Sequence, residues 1–382
     1  MRILHVISSL SPAGGGPPEA VRQLVRAYAQ IGVEVEVATL DEAHAPWLSQ
    51  LSFPVHALGP AQLGSYGFSP RLSAWLRHNA SRFDGIVANG IWSYPNLAVR
   101  SAARRAGIPY AVFPHGALDP WFNRQYRLKH LKKILYWPLQ FPVMRDARAV
   151  LFTTPTERDL ALTSFRPNRW TSLPVPYGIS EPEGDPASQI ETFYARFPQL
   201  RGRRFFLFLS RLHEKKGCDL LLKAFAEIAS ASPAHGLVMA GPDHVGLQAK
   251  LQQLAAALDV GPRVHWPGML AGDLKWGALR ACDAFVLPSH QENFGIVVVE
   301  ALAAGRPVLI SNQVNIWRDI DEDAVGLVED DTQQGTERLL RRWLALPPAD
   351  RDAMAARAHD AFTRRYSMQG AALAIRQLFQ PS

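Results

Sequence analysis

Two glutamates, Glu292 and Glu300, stand eight residues apart in the stretch Pro288-Ser289-His290-Gln291-Glu292-Asn293-Phe294-Gly295-Ile296-Val297-Val298-Val299-Glu300. Glu300 lies between Ile296-Val297-Val298-Val299 and Ala301-Leu302-Ala303-Ala304. A carboxylate in such company has to be paired, because even a neutral polar group buried without a partner costs about 2 to 7 kcal/mol. Its partner is either a set of ligand hydroxyls or a protein cation in a core salt bridge. Glu292 occupies the polar loop before a helix expected over 295–304. The backbone N–H groups of Asn293, Phe294 and Gly295 at that helix start suit an anion, and glycine admits a phosphate closely.

A second constellation is cationic. Arg211 and Lys216 follow the apolar run Phe205-Phe206-Leu207-Phe208-Leu209, five residues apart, and could close on one diphosphate, the bland alternative being an accidental surface pair. Between the first strand and the next helix, expected from about Glu19, the cluster Gly14-Gly15-Gly16 reads as a phosphate cradle. It does not complete a dinucleotide fingerprint, since G-x-G-x-x-G counted from Gly14 ends on Glu19, and only Asp41 at the next strand end hints at a dehydrogenase. His115, in Pro114-His115-Gly116-Ala117-Leu118-Asp119, follows another strand, either as a ligand-facing group or as a structural histidine bonded to backbone in a tight turn. The triplet Asp319-Ile320-Asp321 could bind a metal, but its acidic surroundings read better as a solvated turn.

The elements that must hold these residues alternate between strand and helix. Apolar runs at 3–7, 33–40, 85–88, 110–113 and 149–153 form one series, and 205–209, 236–240, 264–266, 284–287, 308–310 and 326–328 a second, with helical stretches such as 19–30 and 97–106 between them. This rhythm predicts an α/β protein of two Rossmann-like, doubly wound parallel sheets. The expected domains are 1–180 and 181–364, joined by an exposed linker at 174–188, with a terminal helix at about 365–382.

The chain has 382 residues, 47% hydrophobic and 20% charged, which supports two cores and excludes a disordered chain. No apolar run approaches the ~20 residues needed to span a bilayer, and the first residues read as a strand rather than a leader. Cys218 and Cys282 lack metal-site spacing and suit a reducing cytosol.

Charge is uneven. Through Ile179 there are 19 Lys and Arg against 10 Asp and Glu, whereas the remainder carries 22 against 24. Arg124, Arg127, Lys129, Lys132, Lys133, Arg145 and Arg148 face a single acid, Asp146, and alternate with Leu128, Leu131, Leu135, Tyr136, Trp137 and Phe141. Pro138 and Pro142 are expected to interrupt this helix. Basic residues interleaved with interfacial aromatics suit an anionic membrane surface, the alternative being a solvated helix packed on its own sheet. Nucleic acid is not expected, because no nucleic-acid-binding motif accompanies the charge.

The Glu-x7-Glu stretch, with Ser289 and Phe294-Gly295 inside it, resembles the signature of the family 4 retaining glycosyltransferases of the GT-B fold. Ser210-Arg211-Leu212-His213-Glu214-Lys215-Lys216-Gly217, Ala240-Gly241-Pro242 and Asn312-Gln313-Val314-Asn315-Ile316-Trp317 extend it, the last towards members in bacterial polysaccharide or lipopolysaccharide assembly. The resemblance implies two domains facing a cleft, with the terminal helix crossing back onto the first. It places Glu292 against the donor sugar, Glu300 on the nucleotide ribose, Asn293 to Gly295 on sugar and diphosphate, and Gly15 or Gly16 facing the diphosphate. Arg211 and Lys216 would neutralise the leaving nucleoside diphosphate, His115 would touch the sugar, and Asp119 would help bind acceptor. Similar sequences often carry His where this one has Asn89, which weakens a catalytic role there.

The expected donor is a UDP- or GDP-linked hexose, and the expected acceptor a saccharide or lipid-linked sugar. No metal and no further cofactor are expected. Lys129, Lys132, Lys133 and Trp137 would hold the protein peripherally on the cytoplasmic face of the plasma membrane. A nucleotide-sugar epimerase on the same fold and a non-catalytic, membrane-associated binding protein are the rival readings.

Overall fold

Strand β8 (Arg204–Leu209) explains the second half of the chain: Phe205, Phe206, Leu207 and Phe208 are all fully buried, on both faces of the strand. A strand apolar on both sides needs cover above and below, which is the situation of a parallel sheet between helical layers. In a computed structural model describing residues 1–125, 127–175, 177–180 and 182–380, β8 joins β9 (His235–Ala240), β10 (Val264–Gly268), β11 (Ala284–Leu287), β12 (Val308–Ser311) and β13 (Gly326–Glu329). The order is β10-β9-β8-β11-β12-β13, all parallel.

The first half builds a parallel sheet in the order β3-β2-β1-β4-β5-β6-β7. Its strands are β1 (Arg2–Ile7), β2 (Glu34–Thr39), β3 (Val55–Ala57), β4 (Gly85–Asn89), β5 (Tyr110–Phe113), β6 (Ala149–Phe152) and β7 (Ser172–Pro174). In each sheet the strand order reverses once, between β1 and β4 and between β8 and β11. Ligands in open α/β sheets bind beyond the strand carboxyl ends at such a reversal. Arg211 and Lys216 follow β8 and Glu292 follows β11, so both constellations of the second half meet at its reversal point. Contacts divide the chain into Met1–Ser180 with Ser367–Ser382, and Glu181–Tyr366. The helix Met368–Phe379 buries Ala371, Ala372, Ile375 and Phe379 and packs on the first-unit helix Gly16–Gln30. No helix among the described residues is long and apolar enough to cross a membrane.

Several local expectations give way. The expected linker at 174–188 contains buried Val175, Tyr177 and Ile179, and from Pro186 it is the helix Pro186–Arg196, capped by Asp185 and packed on the helix Gly272–Ala281. Prolines 138 and 142 lie inside one continuous helix, Arg127–Arg145, because flanking turns hold it although each proline withholds an N–H. The first helix begins at Gly16, not Glu19, using Pro17 and Pro18 as first-turn residues whose fixed φ suits a helix start. The run around Asp319 is no solvated turn. It forms the helix Trp317–Glu322, with Asp319 accepting from the Tyr366 hydroxyl at 3.0 Å and paired with Arg365 at 3.5 Å.

Candidate active site

In the second unit, the turn after β8 delivers a cation to the loop after β11. His213 accepts from the Lys215 N–H through Nδ1 at 3.1 Å, and Gly217 adopts φ 64°. A side chain at 217 would run into the Pro288 carbonyl, so glycine there lets the two loops touch. The His290 N–H donates to the Lys215 carbonyl at 2.9 Å across the same seam. The outcome is an ion pair between Lys216, 6% exposed, and Glu292. Burial pushes the Glu292 carboxyl pKa upward, but Lys216, Lys215 and exposed Arg211 overcome this and hold it below the ordinary glutamate value.

The rest of the loop is fixed by backbone. The Glu292 N–H donates to the Gln313 carbonyl at 3.0 Å, and the Asn315 N–H donates to the Glu292 carbonyl at 3.1 Å. Phe294 is buried against Tyr366, ring centroids 5.9 Å apart and edge-on. Gly295, at φ 81°, is the cap of the helix Ile296–Ala303, a left-handed position that a side chain would strain. Asn293, Phe294 and Gly295 therefore stand where an anion could meet a helix start.

Glu300, one turn inside that helix, is 6% exposed and pairs with Lys275 Nζ at 2.7 Å. The core salt bridge left open by the sequence is thus present, and the burial of Glu300 by itself does not require a ligand. Lys275, on the helix Gly272–Ala281, was not legible as its partner: it sits 25 residues away with nothing at its own spacing to mark it.

In the first unit, Gly15 has φ 74° and ends a short turn, Pro12–Gly14, and Gly16 opens the helix. Since Pro17 and Pro18 have no N–H, Gly16 is the donor this helix start retains in its first turn, a thinner phosphate cradle than three glycines suggest. Asp41 is no ribose ligand in waiting. It accepts from the Leu10 N–H at 2.7 Å and from the Ser9 and Thr39 hydroxyls at 2.6 and 2.8 Å, pinning the loop after β1.

His115 follows β5 with φ 50°, stacked on Phe113 with centroids 4.6 Å apart. Its Nε2 lies 3.2 Å from Asn89 Oδ1, and Asn89 Nδ2 lies 3.2 Å from Nδ1 of the fully buried His5. With the Asn89 amide so placed, the His115 proton resides on Nε2. Burial, then the neighbouring His5, lowers the His115 pKa to about 3, and burial alone lowers His5 to about 3. Both rings are neutral at pH 7. Asn89 is therefore a positioning partner of His115. The turn is further held by Glu157, which accepts from the Gly116 N–H and the Thr153 N–H, each at 2.7 Å. The Thr154-x-x-Glu157 spacing of a helix start was the overlooked signal for it. Asp119 is 7% exposed and accepts from the Trp121 N–H at 2.8 Å, so it helps start the helix Pro120–Gln125.

The basic helix corrects one further expectation. Trp137 is 4% exposed, stacked on Phe165 at 4.9 Å and donating Nε1–H to the Pro167 carbonyl at 3.0 Å, so it is a core residue and not a membrane-facing aromatic. Lys129 and Lys132 are exposed, whereas Lys133 is half-buried, 5.1 Å over the Trp92 ring, its pKa lowered by burial and then by Lys129. The side chains of Arg124 and Arg127 lie outside the described residues. Among the described residues no three His, Cys, Asp or Glu side chains group as metal ligands.

Comparison with known proteins agrees with this architecture. Residues 191–360 match the family model described as Glycosyl transferases group 1, and residues 15–178 match a Glycosyl transferase 4-like domain. The D-inositol 3-phosphate glycosyltransferase of Frankia alni is 36% identical over 329 residues, 77% of this chain and 77% of the relative. Mannosylfructose-phosphate synthase of Agrobacterium fabrum is 26% identical over 336 residues, 80% of this chain and 73% of the relative. Among solved structures, Anabaena HepE in complex with UDP and glucose superposes with a TM-score of 0.78 at 20% identity, covering 99% of this chain and 98% of that one. The chain belongs to the family 4 glycosyltransferases of the GT-B fold.

Proposed function

We propose that this glycosyltransferase moves a hexose-like sugar from a UDP- or GDP-linked donor to an acceptor hydroxyl with retention at the anomeric carbon. The carrying observation is the Lys216–Glu292 pair beside Arg211, at the reversal point of the second sheet. Departure of the nucleoside diphosphate develops negative charge, and preset cations stabilise that charge more than they stabilise the intact donor. Arg211 and Lys216 take this role, and they make a divalent ion unnecessary for neutralising the phosphates. Held ionised by Lys216, Glu292 accepts hydrogen bonds from donor-sugar hydroxyls while the acceptor attacks from the leaving-group face. Glu300 holds the ribose, exchanging part of its contact with Lys275 for ribose hydroxyls, and Asn293 to Gly295 meet the diphosphate. In the first unit, Gly15 and Gly16 form the phosphate-facing turn, His115 accepts from a sugar hydroxyl through Nδ1 while its Nε2–H stays on Asn89, and Asp119 belongs to the acceptor side.

The acceptor we favour is a lipid-linked saccharide of envelope polysaccharide or lipopolysaccharide assembly, reached peripherally on the cytoplasmic leaflet; the exposed Lys129 and Lys132 on an apolar helix face support this. A soluble phosphorylated polyol or sugar is the second reading, favoured by the names of the Frankia alni and Agrobacterium fabrum relatives. The test is to incubate the purified protein with UDP-, GDP- and ADP-linked hexoses, with and without EDTA, and to follow nucleoside diphosphate release with each acceptor class. Acceptor-stimulated release that survives EDTA supports the proposal. Interconversion of the donor without release indicates an epimerase, and no turnover of any donor indicates a binding protein.

A further inference from the structure

Helix Arg127–Arg145 turns an apolar face outward. Leu128, Leu131, Leu135 and Leu139, spaced 3, 4 and 4 apart, are 81, 56, 75 and 55% exposed, and Ile134 is 47% exposed. Single exposed aliphatics are ordinary, but five on one helix form a patch of the kind that marks an interaction site. Beside the patch lies a cavity of about 500 Å3, walled by Ile134, Trp137, Pro138, Phe141, Phe165 and Pro167. Ile134 and Pro138 border both, so the leucine face runs into the cavity mouth. His130, Ser164 and Arg166 supply its polar lining, and no acidic residue occurs from Asn123 to Arg145.

We infer that this cavity binds the apolar chain of an anionic lipid, with the phosphate or diphosphate headgroup held by Arg166 in its polar lining. An apolar chamber of this volume is within the range of small-molecule sites. An inorganic anion would leave the apolar walls unused and a neutral hydrocarbon would leave Arg166 unused; an amphiphile with one buried chain and a negative head satisfies both. This deepens, and rests on, the proposal that the acceptor is lipid-linked. It assigns the lipid part of that acceptor to a pocket in the first unit rather than to the bilayer alone.

The test measures binding, not turnover. Alkyl phosphates from hexyl to tetradecyl, kept below their micelle-forming concentrations, are titrated calorimetrically against the wild type and against Ile134→Trp, which fills the cavity, and Ile134→Asp, which makes it polar. Ile134 is half-exposed, so neither change threatens the core, and matching unfolding midpoints verify this. Affinity should rise roughly tenfold for each two methylenes added and then level off once the cavity is filled. The plateau should come at a shorter chain in Ile134→Trp, and Ile134→Asp should weaken decyl phosphate at least about tenfold. Inorganic phosphate should bind far more weakly than decyl phosphate. No saturable binding, or equal binding by all three proteins, overturns the inference. Flotation with anionic vesicles separates the two readings: vesicle binding without alkyl phosphate binding overturns the cavity and leaves membrane docking standing, whereas the reverse keeps the cavity and removes the docking.

Discussion

The Lys216 ammonium lies against the Glu292 carboxylate, joining the loop after β8 to the loop after β11 with little access to solvent. Such a pair is costly to break from one side, because removing one partner strands the other charge at about 3 to 5 kcal/mol. Lys216→Ala should therefore lose both turnover and stability, whereas exposed Arg211→Ala should lose turnover alone. The double change Lys216→Met with Glu292→Gln should recover most of the urea midpoint and none of the activity. Full activity in that double variant would remove the pair from the mechanism.

Glu300 tests a different division of labour. If it serves ribose as well as Lys275, Glu300→Gln should weaken UDP binding by about tenfold, the worth of one hydrogen bond to a charged group, with a modest change in urea midpoint. Lys275→Met, which removes the cation paired with this buried carboxylate, should be the more destabilising substitution. Unchanged UDP affinity in Glu300→Gln, measured by calorimetry on protein shown to be folded, would make Glu300 a structural residue only.

The contrast between these two glutamates shows what the sequence could carry. Sheet-forming runs such as Phe205 to Leu209 announce themselves, because a parallel strand buried on both faces leaves a continuous apolar signature. The edge strands Val55–Ala57 and Ser172–Pro174 are three residues long and half-buried, and have no such signature. Motif spacing marked Lys216 and Glu292, but the partnership of Glu300 with Lys275 is a tertiary contact with no local trace. In the helix Arg127–Arg145, sequence alone could not decide which face is buried. Trp137, Gln140, Val143 and Met144 are buried there, and the regularly spaced leucines are not.

The paired histidines make the first unit sensitive to acid. His5 and His115 have folded pKa values lowered to about 3, from 6.5 when unperturbed. Between those values the unfolded chain binds protons that the folded chain refuses, so stability rises with pH across the window and is lost on acidification. Each histidine contributes a slope of up to about 1.4 kcal/mol per pH unit. His5→Gln should narrow the difference between urea midpoints at the acid and neutral ends of the window. An unchanged difference would mean that His5 titrates normally in the folded protein.

The proposed membrane docking would divide into a part that salt screens and a part that it does not. In that reading exposed Lys129 and Lys132 would each contribute about 1 kcal/mol near an anionic leaflet, a contribution that fades as the Debye length shrinks. Leu128, Leu131 and Leu135 add apolar contact that persists, a role the buried Trp137 cannot fill. Lys129→Glu with Lys132→Glu should therefore abolish flotation with anionic vesicles at low salt. Leu128→Gln with Leu135→Gln should keep low-salt flotation but lose what survives in high salt. Lys133 is left intact in both variants because its ammonium packs over Trp92, so reversing it would disturb the fold as well as the surface. Neutral vesicles should retain the wild type poorly. If the wild type and the lysine variant float equally with anionic vesicles at low salt, the charge on this helix plays no part in membrane binding and the docking reading falls.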